Sequence, residues 1–154
     1  MKAVFLPGNK RVEIRAVEVP NPGPGEVLVQ VKASCICRSD LSLYYGNAVV
    51  GGDAAGKCIT GHEPSGIITS TGAGVKRFKS GDRVAVYLAV GCGVCSACRM
   101  GNFFLCSDWR CLGFTADGGN AEDRCDLGRR CCRLQPARGR GRGSHFVAAS
   151  GPAE

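Results

Sequence analysis

The sequence predicts a mainly β fold, a compact barrel of short strands, across most of its 154 residues. Three observations carry that expectation. The stretch Glu26 to Ala33 alternates, with Val27, Val29 and Val31 on one face and Leu28, Gln30 and Lys32 on the other. Turn-forming Gly and Pro recur between short apolar runs, as in Asn21-Pro22-Gly23-Pro24-Gly25. Four cysteines at 92, 95, 98 and 106 mark a lobe organised by metal rather than by a core of its own. The expected layout is a β domain over residues 1–122, with the metal lobe at 91–107 and a disordered basic tail over 123–154.

The elements follow in order. Lys2 to Leu6 reads as a short strand closed by Pro7-Gly8-Asn9. Arg11 to Val19 alternates through Val12, Ile14 and Ala16, then slips phase to Val17 and Val19, which suggests a bulge. Glu26 to Ala33 is the clearest strand. Ser39 or Asp40 can cap a short helix running to Tyr45. Residues 46–57 read as a Gly-rich loop. Gly66 to Thr71 and Arg83 to Leu88 are further strands. No internal repeat is present.

Composition narrows the class. Apolar residues make up 44% and charged residues 21%, ordinary for a globular chain. The net charge of +7 is uneven: residues 1–122 contribute +3 and residues 123–154 contribute +4. Eleven cysteines, an odd count, do not suit an evenly paired secreted scaffold. The N-terminal apolar stretch is too brief for a signal peptide, and no run approaches membrane-spanning length. The expected setting is a reducing cytoplasm in which thiolates serve as metal ligands.

The four-cysteine lobe has the donor set of a closed tetrahedral zinc site, which leaves no position for water or substrate. Its rival is an iron–sulfur run, whose opening the first three cysteines match. Such a run places the fourth Cys three residues on and follows it with Pro. Here Asn102 stands at that place, the fourth cysteine is Cys106, and Ser107 follows it, so zinc is favoured. A closed site braces a lobe and does no chemistry. A second, split cluster is Cys37 with Arg38, Ser39 and Asp40, and later Gly61-His62-Glu63. Cys, His and carboxylate are the ligand types of an open zinc that keeps one position free. Taken singly, a Cys after a strand is more often a small core residue and a His-Glu pair more often structural.

Taken together these motifs, in this order, resemble the N-terminal GroES-like catalytic domain of zinc-containing medium-chain alcohol dehydrogenases, in the sorbitol, butanediol and threonine dehydrogenase branch. The resemblance covers residues 1–122. It rests on Cys37-Arg38-Ser39-Asp40, Gly61-His62-Glu63 with Gly66, Gly72-Ala73-Gly74-Val75, Gly81-Asp82-Arg83-Val84, the four-cysteine lobe, and Gly118-Gly119-Asn120-Ala121-Glu122. It implies that Cys37, His62 and Glu63 hold a catalytic zinc, and that Cys92, Cys95, Cys98 and Cys106 hold a structural one. It implies that Ser39 accepts the alcohol proton, that Asp40 orients a ligand, and that Arg38 lies near a cofactor pyrophosphate. The implied activity is NAD- or NADP-linked oxidation of a small alcohol or polyol, in a family that typically forms homo-oligomers.

The sequence also departs from the family. Cys35 stands where the family usually has Gly, and Ser42 where many members carry a relay His. Cys58 and Cys111 match no ligand position. After Glu122 no Gly-x-Gly-x-x-Gly opens a βαβ unit, so no Rossmann domain is expected in these residues and the chain alone is expected to be inactive. Glu154 is the only acid near the place of the family's later zinc ligand. The segment Arg138-Gly139-Arg140-Gly141-Arg142-Gly143 admits two readings. One is an unstructured terminus, such as out-of-frame translation after Glu122. The alternative function is a zinc-binding β module whose basic tail contacts nucleic acid.

Overall fold

A computed structural model of the chain describes residues 1–47, 55–127 and 131–133. Its elements are β1 (Lys2–Phe5), β2 (Glu13–Ala16), β3 (Glu26–Ser34), α1 (Arg38–Tyr45), β4 (Pro64–Thr71), β5 (Arg83–Val86), β6 (Ala89–Val90), α2 (Ser96–Arg99), a 3-10 turn (Phe103–Leu105), β7 (Arg110–Cys111), β8 (Asp123–Leu127) and β9 (Cys131–Arg133). The mainly β expectation holds. No helix among the described residues is long and apolar enough to cross a membrane.

Five strands form one antiparallel sheet in the order β8-β3-β4-β5-β9. The end strands β8 and β9 are separated in sequence by residues 128–130 alone. Four Cα steps of about 3.8 Å reach at most about 15 Å, so the sheet must curl until its edges approach. That curl makes the barrel. Its interior is the alternating face of β3, Val27 and Val29, packed with Ile68, Phe78, Val84, Val86, Val90 and Leu112. Val27, Val29, Ile68, Val84 and Leu112 are wholly buried, each contributing about 1.5–3 kcal/mol of transfer free energy.

The smaller pieces frame the site. β1 and β2 make a hairpin, and Ala3 bridges to Ala121. β6 and β7 pair at the base of the cysteine lobe, so the lobe leaves and rejoins the barrel through one short ladder.

The structure corrects the sequence reading in four places. First, β2 pairs with β1 in unbroken register and carries no bulge; Val17 instead ends the ladder, its N–H donating to the Met1 carbonyl at 2.9 Å. Val12 and Ile14 point outward, 59% and 69% exposed, because the hairpin has no second layer on that face. The register shifts lie between β3 and β4. Second, the N-cap of α1 is Cys37, not Ser39 or Asp40. Third, the strand expected over Arg83 to Leu88 ends at Val86, and Ala89–Val90 is a separate strand. Fourth, the sheet does not stop at Glu122. β8 pairs with β3 from Glu26↔Leu127 to Gln30↔Asp123, and β9 pairs with β5. A ladder is made by backbone groups that any non-proline residue supplies, so an Arg/Cys/Asp composition does not prevent it; leaving β3 unpaired would expose a row of N–H and C=O groups. Arg124 is itself buried and donates to the Asp117 carbonyl. Residues 48–54 of the Gly-rich loop, the Arg-Gly segment at 138–143 and Glu154 lie outside the described residues.

Candidate functional site

The open cluster is built by two chain segments that the barrel brings together. β3 ends at Ser34, and residues 35–37 lead into α1. Cys37 takes extended angles, φ −93° and ψ 158°, which end the incoming chain and open the helix. Asp40, at the third helical position, accepts the Cys37 N–H through Oδ2 at 2.8 Å. This is the reaching-back half of a capping box, and it pins the residue that bears the thiol. At the other end of α1, Gly46 takes φ +76°, and the N–H of Asn47 donates to the Ser42 carbonyl at 2.8 Å.

The second segment runs from Ile59 into β4 and carries His62 and Glu63. The Cys35 N–H donates to the Glu63 carbonyl at 3.4 Å, tying the two segments together. As a result the ligand atoms of Cys37, His62 and Glu63 all lie within 4.8 Å of one another. Ligands at 2.0–2.3 Å from a tetrahedral zinc stand about 3.5 Å apart, so a small closure would bring all three onto one ion.

His62 is 5% and Asp40 3% exposed, whereas Glu63 faces outward. The imidazole has two distinct sides. Nε2 lies 3.2 Å from Ser39 Oγ and 3.9 Å from Glu63 Oε1. Nδ1 faces Asp40 Oδ1 at 3.6 Å. Neither Nδ1 nor Oδ1 has a hydrogen-bond partner, although both are buried. An orphaned pair aimed at one another suits a ligand His: a carboxylate behind Nδ1 keeps the proton there and leaves the Nε2 lone pair for a metal. The donor set, one thiol, one imidazole and one carboxylate, is that of zinc. Phe114 lies against the imidazole, ring centres 5.1 Å apart.

Arg38, Ser39, Leu41, Ser42, Tyr45 and Asn47 line a groove of about 490 Å³ along α1, and Ser39 belongs to both groove and cluster. A ligand in the groove would therefore meet the Ser39 hydroxyl beside the metal site. A second cavity of about 380 Å³ lies behind Ile59 and includes none of the cluster residues. Cys35 is exposed and outside the cluster. Burial, and then the Asp117 carboxylate, raise the Cys58 thiol above its ordinary range. Burial pushes the Cys111 thiol up to about 11.

The closed cluster meets its expectation: the sulfurs of Cys92, Cys95, Cys98 and Cys106 lie within 4.8 Å of one another. Backbone N–H groups point at them, from Cys92 to Cys106 Sγ at 3.3 Å, from Cys95 to Cys92 Sγ at 3.4 Å, and from Cys98 to Cys95 Sγ at 3.4 Å. Hydrogen bonds from the backbone of Val94 and Cys95 hold Cys92 down at about 6. Burial, with the neighbouring thiols adding to it, pushes Cys98 up to about 12. Four acidic thiols this close cannot all ionise without a cation between them, and a divalent ion is what the arrangement fits.

Two contacts of the site were not legible in the sequence. Phe114 follows a glycine in no periodic pattern, so nothing in the sequence points it at His62. Asn120 hydrogen-bonds Thr60 beneath the His62 segment, and the only trace of that in the sequence was its place in the Gly118–Glu122 motif.

Comparison with known proteins agrees with this geometry. Residues 23–135 match the alcohol dehydrogenase GroES-like domain family, so the match runs past Glu122 through β8 and β9. The uncharacterized zinc-type alcohol dehydrogenase-like protein YphC of Escherichia coli (strain K12) is 43% identical over 129 residues, 79% of this chain and 36% of that protein. Sorbitol dehydrogenase of Bacillus subtilis (strain 168) is 43% identical over 109 residues, 70% of this chain and 31% of the relative. Among solved structures, the short chain alcohol dehydrogenase (rspB) from E. coli CFT073, complexed with NADH, superposes with a TM-score of 0.78 at 34% identity, covering 89% of this chain and 39% of that one. The chain thus spans about a third of the length of the relatives it matches. Barrel, lobe, clustered ligands and these matches together place the chain in the zinc-type alcohol dehydrogenase family, as a GroES-like domain.

Proposed function

We propose that this stretch is the zinc-bearing catalytic domain of a nicotinamide-linked dehydrogenase acting on a small alcohol or polyol. The observation that carries the reading is the meeting of Cys37, His62 and Glu63 within 4.8 Å, with Ser39 Oγ 3.2 Å from His62. Bound zinc supplies a Lewis acid that acidifies an alcohol, and bound nicotinamide supplies a hydride acceptor. Cys37 and His62 are the two inward ligands, and Glu63, on the exposed side, is the ligand or its support. Asp40 keeps the His62 proton on Nδ1. Ser39 Oγ, at the boundary of cluster and groove, accepts the alcohol proton and passes its own proton to water in the groove. Arg38, in the same groove, offers a charge to a cofactor phosphate.

One exposed Arg–phosphate contact contributes at most about 1 kcal/mol, against the roughly 5–6 kcal/mol needed to hold a cofactor at about 0.1 mM. The 154-residue polypeptide by itself is therefore expected to reduce no NAD or NADP with sorbitol or butanediol. The test is spectroscopic. Cobalt in place of zinc at the open site should change its visible bands when sorbitol or butanediol is added, as the hydroxyl enters the free position. Bands unaffected by any alcohol concentration would overturn the reading.

A further inference from the structure

We infer that Asn120, acting through the Thr60 hydroxyl and the peptide at Gly61, is a positioning residue that sets His62 and Glu63 at the open site. The inference rests on the reading of Cys37, His62 and Glu63 as metal ligands.

The segment that carries His62 belongs to no strand until Pro64, so something other than a sheet ladder must fix it. Its backbone is held from one side by residues 117–120. Gly118 N–H donates to the Ile59 carbonyl at 2.6 Å, Asn120 N–H to Thr60 at 2.8 Å, and Gly119 N–H to Gly61 at 2.8 Å. The Asp117 carboxylate accepts the Ile59 N–H at 3.0 Å. Gly61 takes φ +88°, and a Cβ there would meet Asn120 Oδ1 at 2.3 Å. The Asn120 side chain is therefore packed directly on the residue before His62.

Its other end makes a relay. Asn120 Nδ2 donates to Thr60 Oγ1 at 3.1 Å, and the Thr60 hydroxyl donates to the Val4 carbonyl at 3.1 Å. Thr60 is 2% exposed, so water cannot replace either bond. Asn120 closes its own backbone into the same hairpin, its carbonyl accepting the Val4 N–H at 2.9 Å. One amide thus ties three segments, β1, the His62 segment and the 117–122 strap, at the point where the ligand-bearing chain is narrowest. Loss of that tie frees Gly61 to relax and lets the imidazole turn away from Cys37. Outer partners of this kind typically change metal affinity ten- to a hundredfold.

Cobalt and zinc titrations of the full chain test this. The closed lobe reports itself by intense four-thiolate charge-transfer absorption, and the open site by a one-thiolate band. Asn120→Ala should bind metal at the open site at least about tenfold more weakly, with lobe affinity unchanged. Thr60→Val, which keeps the shape and deletes the hydroxyl, should do the same, and Thr60→Ser should retain wild-type affinity. The Thr60 pair decides the question if Asn120→Ala does not fold. Equal open-site affinity in Thr60→Val and wild type, or equal losses at both metal sites, would overturn the positioning role. Wild-type protein that takes metal in the lobe alone would overturn the open-site reading itself.

Discussion

Replacing Asp40 by Asn isolates one arm of the open site. Asp40 makes two different contacts through its two oxygens. Oδ2 accepts the Cys37 N–H at 2.8 Å, and Oδ1 faces His62 Nδ1 at 3.6 Å. Asn keeps an acceptor for Cys37 if its carbonyl oxygen takes the Oδ2 place. Its NH2 group then faces Nδ1 as a donor. His62 must answer by moving its proton to Nε2, the nitrogen needed for the metal. At 5% exposure for His62 and 3% for Asp40, no water can mediate the mismatch. The expected loss in metal affinity is ten- to a hundredfold, about 1.4–2.8 kcal/mol. Folding should suffer less, because the backbone contact survives and only a first-turn charge is lost, about 0.3–1 kcal/mol. Competition of Asp40→Asn against a zinc chelator, with a urea melt on the same sample, reads both quantities. An open-site affinity within twofold of wild type would refute the assignment of Asp40 as the group that fixes the His62 tautomer.

Three further outcomes follow from the same geometry. Cys98→Ser should release the lobe metal and loosen residues 91–107 while leaving amide exchange in β3 and β4 protected, since β6 and β7 alone connect lobe to barrel. Gly61→Ala should destabilise the fold by about 1–3 kcal/mol in a thermal melt, because an L-residue is strained at φ +88° and its Cβ meets Asn120. Cys111 has its folded pKa raised to about 11 from 9, so its neutral thiol contributes stability in full below pH 9, and that contribution is lost as the pH rises through 11; Cys111→Ala should flatten the slope of urea stability between those pH values.

The parts of this protein that could be read from sequence are those governed by local spacing. Cys92, Cys95, Cys98 and Cys106 announce one centre because two-residue gaps let a single loop face its sulfurs inward. Val27 and Val29 announce a buried strand face because a strand has a period of two. Cys37 and His62 could be joined only through the resemblance, since no local pattern links residues 25 positions apart. Other features depend on partners the sequence does not display. The outward turn of Ile14 depends on there being no layer over the β1–β2 hairpin. The N-cap at Cys37 depends on extended angles imposed by the end of β3, which outweigh the better capping propensities of Ser39 and Asp40. Strands β8 and β9 depend on open ladder edges on β3 and β5, which recruit backbone whatever the side chains.

The central claim is that the chain carries two metal sites of different chemistry, one closed by four thiolates and one open with Cys37, His62 and Glu63. Zinc-edge X-ray absorption on wild type and Cys37→Ser, with metal content from the same samples, addresses it most directly. The account predicts two zinc ions per wild-type chain with a mean of about 2.5 sulfurs each, from four at one site and one at the other. It predicts one zinc with about four sulfurs in Cys37→Ser. A single zinc with four sulfurs in wild type, unchanged by Cys37→Ser, would contradict it.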